Sequence, residues 1–505
     1  MVIAQFQPIP GYLDSDYYFA GGIQLVTGKG FTEPYMWNYL DGSTTLPHPS
    51  HGYWQPLASI IAAMGMWLTG KTTYASARIF FILIAGLVPP ITAYLAYLFT
   101  KRRDLAITSA LLGIFSVYSA PFVGVTDNFG IFMLLGGLYF IVAFQLIQDS
   151  ANLRNWFFLG LFAGLMTLSR SDGLLWLAVT FLFALWRAPH GFFFDRVKPV
   201  ILNSGIALLG FLIVMTPWYV RNINAYGRVM APGGSRALWL SNYDQTFIYP
   251  PDQLNKETFL ATGWQEIAAV RLKALSTNLQ SAFAAHGAII LFPFTLTGVY
   301  VNRRQEWIKL AGLAWLVLFF VMTFIFPLAG ARGAFFHAGA AFQPVWWTLA
   351  PLGLEEMLAY LRKRNWGDDR AQVVFRAGLV MIVAILTLFV VNLRLFTLGW
   401  SEGEQDYPSI ENFLQEKGIG EKDIVIVRNP PGYYLGTGRS ALPIPYGNEQ
   451  TVLQVAHQFG AIYLVLEKEA VLDPMQGLFE NPMDNPDFIF LGELNETKLF
   501  RIESK

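Results

Sequence analysis

The chain has 505 residues, of which 54% are hydrophobic, 16% aromatic and only 14% charged. Soluble domains carry roughly 25% charged residues, so this deficit points to lipid. Lys+Arg and Asp+Glu both total 35, so net charge names no partner. With no cysteine, disulfide staples, thiolate metal sites and cysteine nucleophiles are excluded.

In chain order, Met1 to Pro8 has neither the basic start nor the apolar core of a signal peptide. The stretch Pro10-Gly-Tyr-Leu-Asp14-Ser-Asp16-Tyr-Tyr18 follows, two carboxylates set among aromatics. Trp54–Thr69 is apolar, short and aromatic-ended, which predicts a helix lying at the membrane interface. A crossing needs about 20 apolar residues. Runs at 77–99, 105–125, 128–148, 200–220, 284–301, 307–329, 339–361 and 373–398 meet that length. The apolar run 156–187 is interrupted by Ser169-Arg-Ser-Asp172-Gly173. It reads as two short helices meeting at a polar tip, which survives at membrane depth only beside a cavity or water.

Basic residues gather in cytoplasmic loops. Lys101-Arg-Arg103, Arg187 with Arg196 and Lys198, Arg303-Arg304 and Arg362-Lys-Arg364 fall in alternate loops. Placing them inside puts Asp14, Asp16, the 221–283 loop, 331–337 and everything after about 400 outside. These runs, with both halves of 156–187, make ten crossings, so the N-terminus is also outside, and a further first span ahead of Met1 is expected. The tail changes character: Asp423–Val427 and Ala461–Leu466 are β-branched runs, and 408–417 and 449–459 have helical periodicity. Asn429-Pro-Pro-Gly432 reads as a turn. The expected fold is an α-helical polytopic membrane protein with a small extracytoplasmic α/β domain. Its segments are an outer loop with an interfacial helix (1–76), a multi-span region (77–399) and the α/β domain (400–505).

Asp14 and Tyr18 are four residues apart, so a helix starting near Leu13 puts them on one face. A carboxylate there can take a proton from an attacking hydroxyl. Asp14 and Asp16 together can also hold a hard divalent cation, Mg or Mn, beside phosphate oxygens. The structural alternative is that Asp14 caps the helix and Asp16 is solvated in its first turn. Arg78, Arg170, Arg221 and Arg332 all fall at the outer edge, where guanidinium groups bind phosphate through paired, charge-assisted hydrogen bonds. Each could instead snorkel to headgroups or pair with an acid. His48 and His51 lie in a Pro-rich extended stretch that suits positioning better than zinc. His337, beside two phenylalanines, can donate to a phosphate or to a carbonyl. Asp127 opens a span, either as a cap or as a sugar-hydroxyl contact. Trp37, Trp54, Trp218 and Trp239 suit an aromatic belt or stacking on sugar faces. There is no Walker loop, dinucleotide fingerprint or Gly-x-Ser-x-Gly elbow.

Asp14–Tyr18, Trp54-Gln-Pro56-Leu57, Ala77-Arg78, Thr126-Asp127 and Pro217-Trp218-Tyr-Val-Arg221-Asn222, with Gly227 beyond, occur in that order along residues 10–350. The series resembles the GT-C superfamily of integral membrane glycosyltransferases, of the protein O-mannosyltransferase and aminoarabinose-transferase type. The resemblance implies inverting transfer of a sugar from a polyprenyl-phosphate carrier to a protein, lipid or glycan acceptor, at the outer face of the cytoplasmic membrane of a cell envelope. No nucleic-acid partner is implied. Asp14 would be the base, with Asp16, Tyr18, His51, Arg78, Asp127, Arg170, Arg221, Arg332 and His337 holding substrate. A divalent cation serves some relatives. Where many relatives carry Glu directly after the first Asp, this chain has Ser15, which leaves metal dependence open. A lipid-linked glycan transporter or a non-catalytic envelope assembly protein are the rival classes. Charges cluster at span ends rather than along a mid-membrane path, which favours the enzyme.

Overall fold

A computed structural model describes residues 2–189, 193–364, 369–401 and 406–503. The chain divides into two compact units, each drawn from separate stretches of sequence. One comprises Met1–Phe6, Arg78–Arg221 and Ala269–Leu398; the other comprises Gln7–Ala77, Asn222–Ala268 and Gly399–Lys505.

The first unit is helical. Among the described residues, five helices are long and apolar enough to cross a membrane: Tyr74–Thr100, Phe129–Gln148, Asp195–Tyr226, Glu306–Ile325 and Arg370–Thr397. A sixth is reached if Trp264–His286 and Leu291–Asn302, bent by 97° at their junction, form one span. Ten crossings are expected from hydropathy; among the described residues the other runs form helices that are shorter, bent or more charged. The 105–125 run yields only Arg103–Ile114 before the chain turns through Val117–Ser119. Val117 takes a positive φ of 44°, and its N–H donates to Thr387 Oγ1 at 3.2 Å. The 284–301 run is the bent pair. The 339–361 run becomes Gln343–Arg362 and carries Glu355 and Glu356; Glu355 pairs with Arg102 at 2.9 Å and with Arg376 at 3.4 Å. The interrupted 156–187 run folds as expected, into Leu153–Ser169 and Leu174–Trp186 around a turn at Ser171–Gly173.

Lipid gives helices little hydrophobic reason to associate, so close backbone approach through small residues matters. Gly298 and Gly353 let Leu291–Asn302 press against Gln343–Arg362. A Cβ on Gly353 would lie 1.8 Å from the Phe294 carbonyl oxygen, and one on Gly298 would lie 2.5 Å from that of Leu349. Gly353→Ala must therefore part the two helices. We expect it to destabilise the detergent-solubilised protein by at least about 1–3 kcal/mol, read as a lowered melting temperature. An unchanged melting temperature would rule out this packing.

The second unit joins the early segment to the tail. Gly11 adopts φ +84°, and a Cβ there would meet the Trp400 indole at 2.3 Å. Trp400 Nε1 donates to the Ile9 carbonyl at 3.0 Å, fixing the chain just before the helix Leu13–Val26. Two short strands follow, β1 (Thr32–Glu33) and β2 (His48–Pro49), paired antiparallel. The helix Leu57–Thr69 comes next. The tail forms a five-stranded sheet from β3 (Ile424–Val427), β4 (Ala441–Pro443), β5 (Ala461–Glu467), β6 (Phe488–Leu494) and β7 (Thr497–Ile502), in the order β4-β3-β5-β7-β6. β3 runs parallel to β4 and β5; β7 pairs antiparallel with β5 and β6.

Alternation along β3 explains the layers: Val425 and Val427 face one apolar cluster with Tyr407, Ile410 and Leu414, while Ile426 faces the other. That other cluster also contains Met36 and Tyr39. Met36 N–H donates to the Ala441 carbonyl at 3.0 Å, and Tyr39 Oη donates to that of Pro443 at 2.6 Å. The early segment thus covers the β4 edge, which would otherwise present unpaired groups. Asn429-Pro-Pro-Gly432, expected to turn, instead opens the helix Pro430–Thr437. Asn429 accepts from the Gly432 N–H at 3.1 Å, and proline suits the first helical position.

Candidate functional site

The candidate residues lie in both units. In the second unit, the helix Leu13–Val26 begins at an N-cap Tyr12 whose side chain makes no capping bond. Asp14 is the second helical residue, half-buried, so it is not the cap of the alternative reading. A first-turn position favours a carboxylate through the positive end of the helix dipole. Tyr18 is rotated from Asp14 by about 40° and shares its face, whereas Asp16 is about 200° away. Asp16 is 1% exposed and accepts from Asn429 Nδ2 at 2.9 Å. Asp14 and Asp16, expected to hold one cation jointly, sit on different faces of the helix, and Asp16 is anchored on the tail's helix cap. Gln24 Nε2, two turns on from Asp16, donates to Tyr434 Oη at 2.8 Å.

Tyr18 is buried against Trp54, with ring centres 5.8 Å apart. His51 is 1% exposed; its Nδ1 lies 2.7 Å from Ser50 Oγ and its Nε2 lies 3.0 Å from Ser59 Oγ. Its backbone N–H donates to Tyr17 Oη at 2.8 Å. Both ring nitrogens are thus held by serines, which suits positioning of the loop. His48 is buried between two acids: Nε2 lies 3.1 Å from Glu33 Oε1, and Nδ1 lies 3.1 Å from Asp41 Oδ2. Burial pushes its pKa down, but Glu33 and Asp41 overcome this and raise it to about 10. Burial raises the Glu33 carboxyl above its ordinary value, whereas His48 and Ser43 hold that of Asp41 below it against burial.

In the first unit, Arg78 is buried. Its Nε donates to the Gly124 carbonyl at 3.1 Å, and its Nη1 to that of Ala4 at 2.9 Å. Asp127 precedes the N-cap Asn128 of Phe129–Gln148 and accepts from the Asn128 N–H at 2.6 Å. Its other oxygen, Oδ2, lies 3.2 Å from His337 Nε2. The His337 ring stacks on Phe129 with centres 4.1 Å apart, and its Nδ1 lies 3.0 Å from the Gly333 carbonyl. A carbonyl only accepts, so Nδ1 carries a proton. Nε2 and the carboxylate then face each other across one proton or one cation. This is the arrangement in which a backbone carbonyl fixes a metal-ligating imidazole, and the two side chains offer a carboxylate oxygen and a ring nitrogen to an ion.

Arg170 lies at the polar tip and pairs with Asp172, Nη2 to Oδ2 at 3.0 Å. It also reaches the Ala334 carbonyl at 3.5 Å, three residues from His337. Arg332 is exposed within a π turn, Gly330–Ala334, a backbone irregularity frequent at functional sites. Arg221 lies over the Trp218 ring at 4.7 Å. The structure therefore brings Asp127 directly onto His337, with Arg170 bonded into the same 330–337 segment. Asn128 and Ser169, not singled out in the sequence, join this group: Ser169 Oγ donates to Asn128 Oδ1 at 2.5 Å. A polar pair at two helix ends was the available signal. Asn429 was also missed; its place before two prolines is a helix-start pattern.

No family model matches the chain, and no curated protein matches it in sequence. Solved structures do. The structure of ArnT from Cupriavidus metallidurans bound to undecaprenyl phosphate is similar over 99% of this chain and 95% of its own, at 12% identity and a TM-score of 0.51. The Archaeoglobus fulgidus oligosaccharyltransferase in complex with zinc and sulfate is similar over 93% of this chain at 14% identity and a TM-score of 0.50. The chain covers 65% of that enzyme, just under two thirds of its length. At these identities the likeness is one of fold: a GT-C-like helical architecture with helices long and apolar enough to cross a membrane, and a small mixed sheet near the C-terminus.

Proposed function

We propose that this protein is an inverting glycosyltransferase, which moves a sugar from a polyprenyl-phosphate carrier to an acceptor hydroxyl at the outer face of the membrane. The observation that carries the reading is Asp14, a half-buried carboxylate in a helical first turn that is not used as a cap. Asp14 takes the acceptor's proton as the acceptor oxygen attacks the anomeric carbon. The bond from that carbon to the phosphate oxygen breaks, the phosphate leaves with the electron pair, and configuration inverts. Tyr18, on the same face, borders the reacting hydroxyl. Asp16 and His51 position the catalytic helix and its loop, the one through Asn429 and the other through Ser50 and Ser59.

Arg332 and Arg221 carry the donor phosphate; Arg78 and Arg170 hold the segments around Asp127 and Ala334 and add positive charge. Asp127 and His337 either share a proton or hold a divalent cation such as Mg or Mn. When bound, that ion would neutralise charge on the leaving phosphate. Supporting the carrier class, ArnT was solved with undecaprenyl phosphate.

Arg332→Gln and Arg221→Gln are each expected to weaken binding of labelled undecaprenyl phosphate to the solubilised protein by about 10- to 100-fold. Unaltered affinity in both variants would remove the phosphate assignment.

A further inference from the structure

Within the second unit, an aromatic row leaves the face of Asp14. Tyr18, one turn on, lies 5.8 Å from Trp54, ring centre to ring centre. Trp54 stacks on Trp37 at 4.0 Å and 28°, and Trp37 packs on Tyr53 at 5.0 Å. Trp54 and Tyr53 keep part of their surface open. The loop bearing Trp37 is held on both sides by charge. His48 ties Glu33 to Asp41, and Arg236 Nη1 donates to the Leu40 carbonyl at 2.7 Å while its Nη2 pairs with Asp252 at 2.6 Å. Such bracing costs conformational freedom before any ligand arrives and spares that cost on binding.

Polar atoms in the same two stretches are buried without a hydrogen-bond partner among the described residues: Trp37 Nε1, Asn38 Nδ2 and Gln55 Oε1. Two are donors and one is an acceptor. Buried unsatisfied groups cost about 1–3 kcal/mol each, and a run of them in a braced loop calls for a polar partner. Aromatic faces beside unsatisfied donors and acceptors match one chemistry closely: a pyranose, whose C–H face stacks on indole and whose hydroxyls both donate and accept. A lipid surface would satisfy the rings and leave the amides unpaired.

We propose that Trp37 and Trp54, with Asn38 and Gln55, form a subsite for a sugar ring of the acceptor, and hence that the acceptor is a glycan. The assignment to the acceptor rests on the function proposed above, because the row starts at the residue sharing a face with Asp14, the base that deprotonates the acceptor. Binding itself does not depend on turnover.

The test is saturation-transfer NMR on the full-length solubilised protein with methyl hexopyranosides (manno, gluco and galacto), comparing wild type, Asp14→Asn, Trp54→Leu, Trp54→Phe and Gln55→Leu. At least one glycoside is expected to receive saturation from wild type and from Asp14→Asn alike. Affinity is expected to fall about tenfold in Trp54→Leu and in Gln55→Leu, while Trp54→Phe, which keeps a ring, retains most of it. Thermal melting of each variant separates lost binding from lost folding. No saturation in wild type, or saturation indifferent to both Trp54→Leu and Gln55→Leu, overturns the subsite, even where Asp14-dependent transfer is intact. Saturation that follows these residues supports it, even where transfer from a polyprenyl donor is not found.

Discussion

Asp14→Asn is expected to lower sugar transfer by about 10²- to 10⁴-fold while leaving membrane insertion, folding and donor affinity as they are. The amide matches the carboxylate in size but cannot accept the acceptor's proton. Asp14 follows the N-cap Tyr12 and lies inside the helix Leu13–Val26, so the substitution leaves the residue at the cap position in place. The loss should fall on kcat, with the KM for donor little changed. Asp14→Glu, a base displaced by one methylene, should recover part of the rate. Asp16→Asn provides the contrast: its carboxylate is buried on Asn429, so its loss should lower thermal stability and act on transfer only through the position of the helix. Comparable losses of rate in Asp14→Asn and Asp16→Asn, with equal melting temperatures, would mean that the wrong acid has been assigned.

His48→Gln is expected to destabilise the second unit by about 3–5 kcal/mol, the scale seen when one partner of a buried ionic group is removed. The substitution leaves Glu33 and Asp41 buried without the cation between them. A signature in pH accompanies it. The folded-state pKa of His48 is raised from 6.5 to about 10, so its contribution is fully present below pH 6.5 and is lost as pH rises towards 10. The wild-type melting temperature should therefore fall across that window, and the fall should flatten in His48→Gln. Glu33→Gln in the His48→Gln background should restore part of the stability, since one buried charge goes with it. A wild-type profile that stays level from pH 6.5 to 10 would contradict the ionic clamp.

Local signals carried much of this fold. The helix starting at Leu13, the paired short helices around Arg170 and the strand runs at 424–427 and 461–467 are each set by patterns within a dozen residues. Hydropathy failed where a turn is hidden in apolar sequence. Within 105–125 the break after Ile114 falls at Ser116-Val-Tyr-Ser-Ala-Pro121, whose serines and proline are turn signals that a hydropathy average passes over, and Thr387, far along the chain, supports the turn at Val117. In the candidate site, the helix's 100° step placed Asp14 and Tyr18 on one face, whereas the pairing of Asp14 with Asp16 for a cation rested on their closeness in the chain. The partners of Asp16 and Asp127, Asn429 and His337, lie hundreds of positions away. Such pairings are tertiary facts, and only their residue types showed in the sequence.

The central claim, Asp14-dependent transfer from a lipid-linked sugar, is tested most directly in proteoliposomes. Wild type and Asp14→Asn would be supplied with undecaprenyl-phosphate sugars radiolabelled in the sugar, and water-soluble label would be measured over time. Wild type is expected to release sugar slowly to water even without an acceptor, and Asp14→Asn to release none above background. Absence of release from both, with labelled lipid instead moving between leaflets, would contradict the enzyme and make the protein a transporter.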